Sequence, residues 1–196
     1  VGPSAQGEQI VTFFHSAFSG REMNGWDNQI EDRLGIQAAW QRRWRNLSDL
    51  GGGWQLDVSP AIGVEAGTVS VAADAGVTLR LGAGLENDFG APRAGPLGGS
   101  LARTSGDSWS GYLFASANGR YQPYDVFLDE PGGSDGDPIR GGQAISRDDL
   151  RGELSLGAVL AYGGARLTLA VTEETKRYDQ QSEPQRYGEV TLGWSF

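Results

Sequence analysis

From Leu34 to the C-terminus, apolar and polar residues alternate with a period of two. That period belongs to β-strands with one apolar and one polar face. In the last ten residues, Tyr187 to Phe196, the residues Gly188, Val190, Leu192, Trp194 and Phe196 share one side, and Tyr187, Glu189, Thr191, Gly193 and Ser195 the other. Six more strands are predicted upstream, over 34–44, 54–65, 69–81, 109–121, 150–162 and 166–175, making seven. Ahead of them, Ile10, Phe13, Phe14, Ala17 and Phe18 form the stripe of an amphipathic helix over 8–19, with Gly20 as its stop. Glu8, Thr12, His15 and Ser19 fall on the opposite, polar flank.

Most of these strands run to ten or more residues, longer than is usual in soluble sheets and close to the 9–11 that a tilted membrane strand needs. Their polar face carries Asp57, Asp74, Arg80, Arg120, Arg151, Glu153 and Glu189, acids and bases that are able to pair inside a barrel. Trp44, Trp54, Trp109, Tyr162 and Trp194 lie near the ends of apolar faces, as interfacial girdles require. The fold expected is therefore all-β: an antiparallel transmembrane β-barrel with one short N-terminal helix, the strands and loops filling 34–196. The terminal strand resembles that of outer-membrane barrels, whose last aromatic residue, here Phe196, is read by the barrel insertion machinery. A soluble β-sandwich is the alternative in which the apolar faces meet a second sheet.

Taking Phe196 to the periplasmic rim sets the strand directions. Gly163-Gly164 becomes a tight periplasmic turn, while 127–148, 178–185 and the helix become external. Residues 85–107 would then be an unusually long periplasmic segment. Single-chain bacterial barrels have even strand counts. Seven strands, together with a first residue that is not Met, point to a single barrel domain over 1–196 that is an N-terminally truncated portion of a larger barrel.

Composition narrows the function. The 196 residues hold 31 glycines and no cysteine, with a net charge of −9 and a mean hydropathy of −0.39. A disulfide scaffold, a basic nucleic-acid binder and a helical membrane protein are excluded. No apolar run approaches the roughly 20 residues of a spanning helix. His15 is the one histidine and the one candidate for acid/base work near neutral pH. The polar cluster Asp27-Asn28-Gln29 between helix and first strand reads either as a capped turn or as part of a site. Lys176, Arg177 and Arg186 gather at the external rim, either as solvated strand ends or as a phosphate dock.

Five clusters, Thr12-Phe13-Phe14-His15, Gly25-Trp26-Asp27-Asn28-Gln29, Gln41-Arg42-Arg43-Trp44, Phe127-Leu128-Asp129 and Glu183-Pro184-Gln185-Arg186-Tyr187-Gly188, resemble in that order the lipid A 3′-O-deacylase family of outer-membrane enzymes. The resemblance implies a barrel of about twelve strands, with a calcium-dependent esterase site at the external rim acting on lipopolysaccharide. It implies His15 as general base, with Thr12, Asp27, Asn28 and Gln29 supporting the site, and calcium at the oxyanion. The metal ligands would lie mostly in N-terminal strands that have no counterpart here. Val11 stands where the family places a glutamine. A non-catalytic barrel, serving as a passive pore or a structural protein, is the competing expectation.

Overall fold

The computed structural model describes residues 4, 6–18, 32, 34–87, 90, 109–129, 148–178 and 181–194, with the side chains of 14–18, 87 and 128 outside that description. Helix α1 is Gly7–Phe18, and the strands are β1 (Gln37–Arg43), β2 (Asn46–Gly51), β3 (Trp54–Gly67), β4 (Ser70–Ala83), β5 (Trp109–Asp125), β6 (Leu150–Tyr162), β7 (Ala165–Glu174) and β8 (Gln185–Trp194). A short helix α2 (Val126–Asp129) follows β5. All pairings are antiparallel, in the order β1-β3-β4-β5-β6-β7-β8, with β2 also on β3. The sheet is open, with β8 at one edge and β1 and β2 at the other.

The eighth strand adds no width. β1 covers Ala61 to Gly67 of β3 and β2 covers Trp54 to Val58, so the two are one crossing strand broken at Trp44-Arg45. Trp44 N–H bridges the break to the Pro60 carbonyl at 2.9 Å. Trp44 therefore sits at mid-height, and its expected place in a girdle at the rim is corrected. It lies instead beside Arg42, whose guanidinium is 5.2 Å from the ring centre. Trp54, Trp109, Tyr162 and Trp194 do share one end of the sheet. Trp109 and Tyr162 are register partners with ring centres 4.8 Å apart.

Which face is covered decides between membrane and water. Asp57, Ser59, Asp74, Thr78, Arg80, Ser116, Gln122, Ser155, Arg166, Thr168 and Thr172 are buried on the concave side. Leu79, Leu113, Leu154, Leu156, Leu160, Leu169, Val190 and Leu192 are exposed on the convex side, Leu192 by 80%. A soluble protein buries the second set and solvates the first. This inverted distribution is that of a barrel wall whose outside meets lipid.

Turn chemistry sets two ends. Gly51-Gly52-Gly53, the Gly163-Gly164 turn and the 3₁₀ turn Leu85–Asn87 lie at the end carrying the aromatic residues. Gly163 takes φ +53°, which a glycine adopts without strain. At this end Leu85 enters the concave side fully buried and packs with Tyr112, Phe114, Val159, Ala170 and Leu47. Three bonds hold the 3₁₀ turn in: Leu85 N–H to Gln55 Oε1 at 2.8 Å, and Arg45 to the Leu85 and Glu86 carbonyls at 3.0 and 3.2 Å. Gly157 makes room for the Phe114 ring, because a Cβ there would collide with it and with the Leu169 carbonyl. The opposite end carries the Gly67-Thr68 turn, the β5–β6 and β7–β8 connections, and the start of β1.

Candidate functional site

Away from the aromatic end, the concave face opens into a cavity of about 560 Å³ lined by Glu65, Asp74, Asn118, Arg120, Gln122, Asp125, Arg151, Glu153, Glu174, Arg177 and Tyr187, among others. Strand pairing assembles it. Asp74 faces Arg120 across β4–β5, Asn118 faces Glu153 across β5–β6, and Glu153 faces Glu174 across β6–β7. Arg120 spans two carboxylates, Asp74 at 3.1 Å and Glu65 at 3.1 Å. Ser70 donates its hydroxyl to Glu65. Glu174 accepts from Arg177 at 2.7 Å and from the Tyr187 hydroxyl at 3.1 Å. The rim beside the cavity is capped locally: Asp125 accepts the Phe127 N–H at 3.0 Å at the start of α2, and Asp129 accepts the Asp125 N–H at 2.7 Å. Such a lining can hold polar, charged groups.

The residues singled out from sequence fall as follows. His15 lies within α1, and its side chain is outside the described residues, as are Asp27, Asn28 and Gln29 altogether. Thr12 is exposed on α1. Ile10 and Phe13, on the apolar stripe, are exposed too. Ser4 and Asp32 tie the two sides of this segment together, Ser4 donating its N–H at 2.8 Å and its hydroxyl at 2.5 Å. Those bonds, the hydroxyl's foremost, hold the Asp32 carboxyl below its ordinary pKa. The basic trio does not share one surface. Arg177 reaches the cavity and pairs with Glu174, Lys176 is exposed just past β7, and Arg186 stands on the convex side, opposite Glu173. Glu65, Gln122, Glu174 and Tyr187 were not singled out as site residues. Parity along each strand gives their face, but their convergence depends on register, which a single strand does not carry.

An antiparallel sheet with a charged concave face, a leucine-covered convex face and an aromatic belt defines the wall of an outer-membrane β-barrel. The family model described as outer membrane protein LpxR matches residues 1–196, and the chain belongs to that family. In structure it is similar to LpxR from Salmonella typhimurium, with a TM-score of 0.82 and 20% identity, over 100% of this chain and 64% of that one. The chain thus spans about two thirds of the length of that relative. No curated protein matches it in sequence.

Proposed function

We propose that the protein acts as an outer-membrane lipid A deacylase, hydrolysing the ester that carries the 3′-acyloxyacyl chain of lipopolysaccharide. Membership of the LpxR family over the whole chain carries this reading. A polar cavity at the rim where β1 begins supports it, because the helix segment joins the sheet from that side. In this reading that rim is external. His15 takes a proton from water, and Thr12, three residues before it, lies on the adjoining turn of the same flank. Asp27, Asn28 and Gln29 hold the helix against the wall. Lys176 and Arg177 meet headgroup phosphate, Lys176 as a point charge and Arg177 as a fork. Arg186, on the convex side, meets phosphate of lipid outside the wall.

Calcium finds no cage among the described residues. They contain no group of three His, Cys, Asp or Glu placed to hold a metal ion, and the carboxylates Glu65, Asp74 and Glu174 are bonded by arginines. We propose that its ligands belong to other parts of the whole protein.

The test is release of the 3′-linked acyl chain from lipid A in detergent with calcium, using an N-terminally extended protein. His15→Asn is expected to lower the rate about 10²- to 10⁴-fold, the range of general acid–base catalysis. An unchanged rate in an otherwise active protein would remove His15 from the mechanism. This chain alone is expected to release no appreciable acyl product.

A further inference from the structure

Three arginines face the rim cavity from neighbouring strands: Arg120 on β5, Arg151 on β6, and Arg177 just beyond β7. Arg120 and Arg151 stand directly opposite each other in the β5–β6 register, a pairing of like charges that costs stability unless something lies between them. Arg120 is neutralised by Glu65 and Asp74, and Arg177 by Glu174. Arg151 has no such partner. Its guanidinium donates to Gln122 Oε1, the same oxygen that accepts Arg120 Nε at 3.3 Å. One amide oxygen carries only a partial charge, so it cannot balance two guanidinium groups.

The carboxylates nearby have other donors. Asp125 accepts from Gln122 Nε2 at 3.0 Å, and Glu153 from Asn118 at 2.9 Å and Ser155 at 3.4 Å. Among the described residues, Arg151 is bonded to no carboxylate, and most of its N–H fork is uncommitted. A half-buried guanidinium in that condition calls for an anion from outside.

We propose that the cavity is a phosphate-monoester site in which Arg151 binds two phosphate oxygens through its fork, flanked by Arg177 and Arg120. Phosphate fits better than a carboxylate because it presents more oxygens to the fork of Arg151, where Arg120 and Arg177 already hold Glu65, Asp74 and Glu174. A volume of about 560 Å³ also leaves room for the group that bears the phosphate. Arg151 is the second residue of β6, so the site opens at the rim. The inference rests on the deacylase reading for lipid A as the phosphate source, while binding itself requires neither His15 nor hydrolysis and is tested without them.

Phosphate of this kind is presented by lipid headgroups and by free phosphate, and one experiment separates the sources. The chain in uncharged detergent is treated with phenylglyoxal, which modifies arginines, and each site is followed by mass spectrometry. The additions are inorganic phosphate, lipid A, or phosphatase-treated lipid A. Protection of Arg151, with Arg42 beside Trp44 unchanged, is expected with lipid A and not with its dephosphorylated form. Protection by inorganic phosphate alone would assign the cavity to a free anion. Calorimetry should show phosphate binding weakened about tenfold or more by Arg151→Gln, the scale of a charge-assisted bidentate contact, and less by Arg151→Lys. Failure of every phosphate to protect Arg151 in the wild-type chain overturns the proposal whether or not the variants fold, and so does an Arg151→Gln variant that binds as the parent does.

Discussion

The concave face is built from the same strands at both heights, yet its two ends treat buried charge differently. Toward the aromatic end, Asp57 and Arg80 are register partners 2.5 Å apart with side chains 0% and 2% exposed. Arg80 also lies 5.4 Å from the centre of the Tyr112 ring, and Ser59 donates to the same Asp57 oxygen at 2.7 Å. Leu85 and its neighbours fill the remaining space. Toward the other rim, Asp74 and Arg120 occupy an equivalent cross-strand position but border a cavity. An ion pair sealed under packed side chains locks the wall; one beside open space leaves charge available to a ligand. Register supplies the pairing at both ends, and what packs over it decides the use.

The largest expected effect breaks the sealed end. Asp57→Ala removes the carboxylate paired with the buried Arg80 and should cost about 3–5 kcal/mol, read from denaturant unfolding in detergent. Asp74→Ala should cost clearly less, because water reaches Arg120 through the cavity. Equal losses would show that both ends are equally sealed. Next in size is Leu156→Arg at the middle of β6 on the convex side, expected to cost about 2–4 kcal/mol if that face meets the bilayer centre. In planar bilayers the N-terminally extended protein should show no steady open pore, while Arg45→Ala, which removes two of the three bonds holding the 3₁₀ turn that carries Leu85, should admit conductance. A steady pore in the unaltered protein would favour the passive-channel alternative.

The smallest effect lies off the sheet. Because the Asp32 pKa is lowered on folding, its bonds from Ser4 contribute fully above the unfolded value of about 4 and are lost as pH falls through the lower, folded value. Proteolysis near residues 4 and 32 should therefore quicken as pH falls below about 4 relative to pH 7, and Ser4→Ala, which leaves the Ser4 N–H bond in place, should reduce that difference.

Much of the wall was legible from the chain. Alternation predicted the seven crossings and the correct face for Asp57, Arg80, Asp74 and Arg120, because a period of two is a local property. The 8–19 helix is observed one residue earlier, at Gly7–Phe18, and the fourth strand extends four residues past Tyr121, to Asp125. β2 escaped detection because the break at Trp44-Arg45 and the run Gly51-Gly52-Gly53 interrupt the pattern on either side of a six-residue strand. The long segment after β4, awkward as a periplasmic loop, is explained at its start by Leu85 turning inward. The cavity was not legible, since Gln122 and Tyr187 carry no signal until register sets them beside Arg151 and Glu174. The Thr12, His15 and Asp27 to Gln29 assignment rests on family resemblance and awaits the kinetic test.

The belt of aromatic residues also works as a depth gauge. Trp109 and Tyr121 both point outward from β5, and at about 3.3 Å per residue they mark off about 40 Å of strand. A tilt of about 40° reduces that to about 30 Å of bilayer, close to the apolar thickness that a barrel spans. Trp40, Val64, Ala73 and Tyr121 form one continuous row of partners across the sheet, with Tyr121 at the far end of the β5 span. Arg120 and Arg151 lie one step inward of that row, on the concave side. A molecule held between them would rest near the depth of the headgroups of neighbouring lipids, with the wall between it and their acyl chains.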